Sequence, residues 1–329
     1  MLKVGIIGAG YMGGVHSRNL QKIDGVSIAA VCDTNLETAK QLNDQLNGNA
    51  TVFTDWNNMY DDAGLDAVYV CLPPFAHNGE VETAAEKGIH TFLEKPIAIS
   101  TSSAQSMVDA IKKAGTISQV GYHQRFGGAV KKLKAMLKDG TTGKPTLYTA
   151  SFICNSLHTP WWRDINKSGG QVFEQIIHNY DMAIYFMGLP DKVSAFTANV
   201  SHQNIPGYTV EDTSVSSILF KSGGLGNIVG SNNAIPMQWI SKFSVICEKV
   251  TADFTSANDA VFTYVDGEKT ETEIISATED PYFGETANFI AAIRGEEKAV
   301  TPVECGLKTI EFVSAVMNSS NTGGTVVSL

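Results

Sequence analysis

The chain has 329 residues, of which 43% are hydrophobic and 18% charged, and its formal net charge is −10. That length exceeds one ordinary domain and the composition fits a globular protein with a sizeable core, so two domains are expected. The negative balance argues against a phosphate-backbone partner and no apolar run is long enough to span a bilayer, so neither nucleic acid nor membrane is an expected partner.

Five cysteines (Cys32, Cys71, Cys154, Cys247, Cys305) are scattered with no C-x-x-C spacing. They read as reduced core thiols, not disulfides or zinc ligands. Met1-Leu2-Lys3 leads directly into a predicted strand and not into a signal peptide, so a cytoplasmic location is expected.

Lys3 to Ile7 reads as a short buried strand, followed at once by Gly8-Ala9-Gly10-Tyr11-Met12-Gly13 and a predicted helix, Val15 to Ile23. A G-x-G-x-x-G between strand and helix is a dinucleotide-binding turn. Its first glycine permits the tight turn, its second lets a pyrophosphate approach, and its third lets helix and strand pack closely. The backbone from Gly8 through Tyr11 and Met12 to Gly13 is therefore the expected phosphate site, at the positive end of a helix. A second strand, Val26 to Cys32, ends in Asp33. An acid about 20 residues past the glycines suits the adenosine ribose hydroxyls and repels a 2′-phosphate. Thr34-Asn35-Leu36 brings no arginine, so NAD is expected over NADP. The plainer alternative for Asp33 is a helix N-cap.

Strand and helix continue to alternate: helix Leu36 to Leu46, strand Thr51 to Phe53, and an almost wholly apolar strand, Asp66 to Leu72. The segment from Leu72 and Pro73 to His77 follows. It faces the cofactor edge, although His77 also suits a cap on the next helix, Asn78 to Lys87. Another apolar run, Ile89 to Leu93, ends in Glu94-Lys95-Pro96. Pro96 cannot continue a sheet ladder, so Glu94 and Lys95 stand where the sheet stops, at the carboxyl edge where open α/β sheets bind ligands. Lys95 is the first catalytic candidate; its plain alternative is a lysine snorkelling from a strand end. A helix, Ser100 to Ala114, and a strand, Ile117 to Gly121, complete a doubly wound α/β sheet of six or so parallel strands over residues 1–121.

Residues 122–329 follow a different pattern. Tyr122-His123-Gln124-Arg125-Phe126 is a polar and aromatic cluster that places His123 and Arg125 among the substrate candidates. Many alternating strands follow, predicting an open-faced, mostly antiparallel sheet. One predicted helix, Gln171 to Met187, interrupts them, and Glu174, His178 and Asp181 share a stripe of it at i, i+4 and i+7. A histidine with a carboxylate one turn earlier can be held in one tautomer and act as a base; a satisfied interfacial histidine is the alternative. No further ligand cluster supports a metal there. Upstream, Trp161-Trp162-Arg163-Asp164 forms a loop suited to a polyhydroxylated ring, or equally to a domain or subunit contact. Two closing helices follow; the last, 302–318, is a candidate to pack back on the first domain.

Together these residues resemble the glucose–fructose oxidoreductase and inositol dehydrogenase family (Gfo/Idh/MocA). The resemblance rests on Gly8-x-Gly10-x-x-Gly13, Asp33, Pro73-Pro74 with His77, Glu94-Lys95-Pro96, Gly121-Tyr122 with Arg125-Phe126, and Gly169-Gly170 followed by Glu174 and His178. It implies a Rossmann domain, a second α+β domain with an open sheet, and a homodimer or homotetramer built through that sheet. It also implies Lys95 and His178 as the catalytic pair on a secondary alcohol of a sugar or cyclitol. Glu174 stands where many of these dehydrogenases have Asp, leaving its role between holding His178 and reaching the substrate. Gly127-Gly128 replaces a common Asp-Pro. Alternative activities are a glycosidase using transient oxidation by bound NAD and a sugar- or dinucleotide-sensing regulator without turnover.

Overall fold

The structure, a computed structural model, describes residues 1–329. It holds two compact units: Met1–His123 with Tyr282–Leu307, and Gln124–Pro281 with Lys308–Leu329.

In the first unit, β1 (Leu2–Ile7), α1 (Tyr11–Leu20), β2 (Val26–Cys32), α2 (Leu36–Gln45), β3 (Thr51–Phe53) and α3 (Trp56–Asp62) form one half. The other half is β4 (Ala67–Val70), α4 (Glu80–Glu86), β5 (His90–Leu93), α5 (Thr101–Ala114) and β6 (Ser118–Val120). The six strands run parallel in the order β3-β2-β1-β4-β5-β6. The order reverses between β1 and β4, the switch point at which such sheets bind ligands. Register then fixes what lies along the carboxyl edge. Ile7 pairs with Cys32 and with Val70, Val70 with Leu93, and Leu93 with Val120. The next residues along that edge are therefore Gly8, Asp33, Cys71, Glu94 and Gly121.

Because both faces of this sheet are covered, its strands are apolar without alternation. Val4, Ile6, Ala67, Tyr69 and Phe92 are fully buried, and the Tyr69 and Phe92 rings stack 4.5 Å apart. A helix from the far end of the chain, α10 below, sets Phe289 edge-on to both rings at 5.6 and 5.8 Å. Burying such a ring contributes about 1.5–3 kcal/mol. Helix ends follow local chemistry. Asn35 caps α2 by accepting the N–H groups of Glu37 and Thr38, and Ser100 caps α5 by accepting that of Ser103. Helix α1 starts at Tyr11, earlier than the Val15 expected from its apolar residues, because the glycine turn leads straight into it.

The second unit opens with α6 (Gly128–Asp139), β7 (Pro145–Cys154), α7 (Ile165–Ser168), α8 (Gln171–Glu174) and α9 (Ile177–Met187). The strands β8 (Pro190–Ala198), β9 (Thr213–Phe220), β10 (Leu225–Ser231), β11 (Trp239–Cys247), β12 (Val250–Phe254), β13 (Asp259–Asp266) and β14 (Lys269–Ser276) follow. The chain closes with α10 (Pro281–Ile293), α11 (Val303–Asn321) and β15 (Val327–Ser328). One sheet collects β14-β13-β12-β11-β7-β10-β9-β8-β15. Every pair is antiparallel except β7 with β10, which run parallel because α7–α9, β8 and β9 intervene. Burial alternates along β7 and β9, as in a sheet with one covered face. Helix α9 packs on β7, β10 and β11, and α6 on β13 and β14. The helix α10 joins the first unit from Tyr282 onward; α11 contributes only its first residues there, while its Phe312 meets Tyr180 edge-on in the second unit.

One sequence expectation is corrected. The helix predicted as continuous from Gln171 to Met187 is broken at Gln175–Ile176. The Ile176 N–H reaches back five residues to the Gln171 carbonyl at 3.0 Å, which inserts one residue into the helical ladder. Glu174 and His178 therefore lie on either side of a break and do not share the regular stripe that their spacing suggested.

Candidate functional site

At the glycine turn the three glycines answer to three different surroundings. Gly8 has φ +87°, and a Cβ there would lie 2.4 Å from the Cys71 carbonyl oxygen. A Cβ on Gly13 would lie 2.1 Å from the Gly8 carbonyl oxygen. Both positions are closed by the protein itself. A Cβ on Gly10 would meet nothing within 4 Å. The second glycine thus faces open space at the N-terminus of α1, where unsatisfied backbone N–H groups and the positive helix end receive a pyrophosphate. The residues fit a dinucleotide. Tyr11 is 83% exposed, so its side chain stands clear of the protein core. Asp33 braces the turn: its Oδ2 accepts the Ala9 N–H at 2.9 Å and its Oδ1 the Asn35 N–H at 2.9 Å. The capping role considered for Asp33 belongs to Asn35. Each Asp33 oxygen retains acceptor capacity for a ribose hydroxyl.

The end of β5 is the most constrained part of the edge. Glu94 is 6% exposed, and its Oε1 accepts from His16 Nε2 at 2.7 Å. Its Oε2 accepts the Lys95 backbone N–H at 3.1 Å. Burial would raise the Glu94 carboxyl, but the His16 hydrogen bond and charge, with Lys95 and His123, hold it below the ordinary carboxylate range. An ionised Glu94 requires His16 to donate from Nε2. The carboxylate also explains Gly121, where a Cβ would lie 3.0 Å from Glu94 Oε1. The Lys95–Pro96 peptide is cis. Glu285, fully buried on α10, brings a second carboxylate; one ligand-type atom each of His16, Glu94 and Glu285 lies within 4.8 Å of the others.

Leu72 and Pro73 follow β4 as half-buried residues on the same edge. His77 hydrogen-bonds the Glu80 carboxylate through Nδ1, and Glu80 Oε2 accepts the Asn78 N–H at 2.8 Å. Burial pushes Glu80 up, but the His77 hydrogen bond and charge and the Asn78 N–H leave it below its usual range. His77 thus organises the start of α4. His123 stacks on Tyr282 at 4.2 Å.

In the second unit His178 is 8% exposed, one residue into α9. Glu174 Oε2 accepts from the Trp162 indole at 2.8 Å. Trp162 is 2% exposed, clusters with Tyr208 and Val210, and lies 4.2 Å from the His158 ring. Trp161 is half-buried against the same cluster. Arg163 donates to the carbonyls of Leu157 at 2.6 Å and His158 at 2.9 Å, and Asp164 caps α7 through the Asn166 N–H. Arg125 donates to both Asp181 oxygens, from Nε at 2.9 Å and Nη2 at 2.5 Å, and its guanidinium lies over the Tyr185 ring. Burial pushes the Asp181 carboxyl above its usual range against the pull of Arg125. Asp181 therefore anchors Arg125, and Trp162, Arg163 and Asp164 carry structural bonds of their own.

Several residues here were not singled out in the sequence, among them Glu80 and Glu285. His16 carries no local signal, since its partner is 78 positions away. Glu211 is another. Its Oε1 accepts the Val172 N–H at 2.7 Å at the start of α8, and a Cβ on Gly170 would lie 2.3 Å from its Oε2. Gly170, with φ +103°, is thus cleared for a buried carboxylate, whereas a Cβ on Gly169, with φ +78°, would lie 2.9 Å from the Phe173 side chain.

Residues 2–122 match the Gfo/Idh/MocA oxidoreductase family's NAD-binding Rossmann fold, and residues 130–253 match its C-terminal domain. The chain is 30% identical over 307 residues to myo-inositol 2-dehydrogenase of Thermotoga maritima, covering 91% of each. The chain belongs to the Gfo/Idh/MocA family. It is also 28% identical to D-glucoside 3-dehydrogenase of Escherichia coli, over 98% of this chain and 96% of that one. Levoglucosan dehydrogenase in complex with NADH and levoglucosan superimposes with a TM-score of 0.91 over 99% of each chain at 19% identity, a likeness of fold. As a Gfo/Idh/MocA member the chain is an NAD-dependent oxidoreductase acting on CH–OH groups. No helix is long and apolar enough to cross a membrane.

Proposed function

We propose that this protein oxidises a secondary alcohol of a cyclitol or sugar, with Lys95 and His178 as the catalytic pair. The observation that carries the reading is the carboxyl edge of the first sheet. There a braced Asp33 and a buried Glu94 that fixes the Lys95 backbone stand in one register with Gly8, and the turn from Gly8 leads to an open Gly10. When bound, NAD supplies the hydride acceptor. Gly8, Gly10, Tyr11, Met12 and Gly13 hold its phosphates; Asp33 holds the adenosine ribose; Leu72, Pro73, His77 and Glu94 line the remainder. Lys95 donates a hydrogen bond to the reacting oxygen and stabilises its developing negative charge. His178 takes the hydroxyl proton. His123, Arg125, Trp161, Trp162, Arg163, Asp164 and Glu174 form or support the polyol site, Arg125 through Asp181 and Glu174 through Trp162. The chain acts as a homo-oligomer through the open face of its second sheet.

Lys95→Ala and His178→Ala, measured in steady state with NAD⁺, test the pairing. Lys95→Ala should lower kcat by roughly a hundredfold or more, the scale of one lost oxyanion donor, with NADH affinity nearly unchanged. Near-normal turnover in Lys95→Ala removes that residue from the chemistry and favours binding without turnover.

A further inference from the structure

His16 lies on α1, the helix that starts at the glycine turn, yet its side chain serves a different part of the site. It is fully buried, with its ring tilted against Tyr69 at 5.2 Å and Phe92 at 4.7 Å. Those contacts fix the ring plane and aim Nε2 at Glu94 Oε1, 2.7 Å away. Glu94 spends its other oxygen on the Lys95 N–H. A buried carboxylate holding two donors through its two oxygens has little rotational freedom, and losing one donor leaves buried charge less compensated. Gly121, whose missing side chain leaves room for this carboxylate, closes the third side.

We infer that His16 is a positioning residue: by holding Glu94 in one orientation it fixes the Lys95 backbone, and so ties the phosphate-facing helix to the catalytic lysine. This rests on the Lys95 assignment above and extends it to two residues that never need to touch the substrate. A misplacement of a reacting group by about 1 Å costs roughly a hundredfold in rate, so a small rotation of Glu94 is enough to matter.

The test compares His16→Ala, His16→Gln and Lys95→Ala in the full chain. Three readouts are taken: NADH affinity by fluorescence titration, kcat and KM with NAD⁺ and the best polyol of a cyclitol and sugar panel, and amide hydrogen exchange at Lys95. In His16→Ala, exchange at Lys95 should accelerate and kcat should fall by roughly ten- to a hundredfold, while NADH affinity changes less than threefold. Glutamine can place an amide N–H near the Nε2 position, so His16→Gln should recover most of both. His16→Ala added to Lys95→Ala should lower kcat no further. Unchanged exchange in His16→Ala, or a kcat loss matched by an equal loss of NADH affinity, overturns the positioning role. If Lys95→Ala itself turns over normally, the Lys95 assignment fails; if it is inactive while His16→Ala is normal, only the positioning role fails.

Discussion

A glycine can be required by the protein or by its ligand, and the turn after β1 contains both kinds. Gly13 is closed by the Gly8 carbonyl, whereas a Cβ on Gly10 would meet nothing within 4 Å. Gly13→Ala should therefore lower the melting temperature, because backbone must move to admit a methyl group. Gly10→Ala should leave melting unchanged and weaken NADH binding at least tenfold, a loss of about 1.4 kcal/mol. Calorimetry and titration of the two variants check this, and intact NADH affinity in Gly10→Ala would remove the pyrophosphate from that position. The proton carries a second residue-scale prediction. A protonated imidazole cannot accept the hydroxyl proton, so alcohol oxidation should rise with pH through one ionisation, and that limb should vanish with most of the turnover in His178→Ala. An acid limb surviving in His178→Ala would assign the proton to another group. Because Glu174 is bonded to Trp162, Glu174→Gln should act first on KM.

Among the elements, the segment Gly170 to His178 shows what a sequence can and cannot disclose. Its helical periodicity, its two glycines and its histidine were legible, because apolar spacing and turn chemistry are local signals. The break at Gln175–Ile176 was not, since the side chains beside it are committed to a preceding loop: Gln175 to His158 at 2.9 Å and Glu174 to Trp162. The same holds for β5, where Glu94-Lys95-Pro96 marked the strand end but nothing local pointed to His16. The Rossmann half was legible almost strand by strand because buried parallel strands are continuous apolar runs. In the second half the strands were legible, but the parallel pairing of β7 and β10 was not, being a property of topology. Glu211 gives this segment a pH dependence. Burial, against N–H bonds from Val172 and Gln171 and with Asp212 adding to it, pushes its carboxyl up to about 7. The folded state thus holds this proton more tightly than the unfolded chain. Its stability contribution is complete below the ordinary carboxyl range and is lost as pH rises toward 7. Glu211→Gln should flatten that part of the profile and stabilise the protein at pH 8 by up to about 3 kcal/mol relative to wild type. Denaturant melts of both proteins across pH would show it, and parallel profiles would refute it.

For the whole molecule, the open sheet face and the chemistry make separate demands. The uncovered face carries the register row Ser217, Asn227, Thr149, Ser244, Asp253 and Val261, with Val215 44% and Leu225 55% exposed nearby. Polar groups interleaved with apolar ones suit a surface that buries itself against a second copy of the chain. Light scattering should return a multiple of 35.3 kDa, and Thr149→Arg, at the centre of the row, should reduce it to that mass. A wild-type monomer would leave the face without this role. The chemistry itself is dehydrogenation. Its most direct test is NADH formation by the purified full chain with NAD⁺ and a panel of inositols, aldoses and sugar acids. NADH absorbance is expected with at least one cyclitol or sugar, and its loss in both Lys95→Ala and His178→Ala. NADH binding with no turnover on any panel member, or turnover that survives both substitutions, would contradict it.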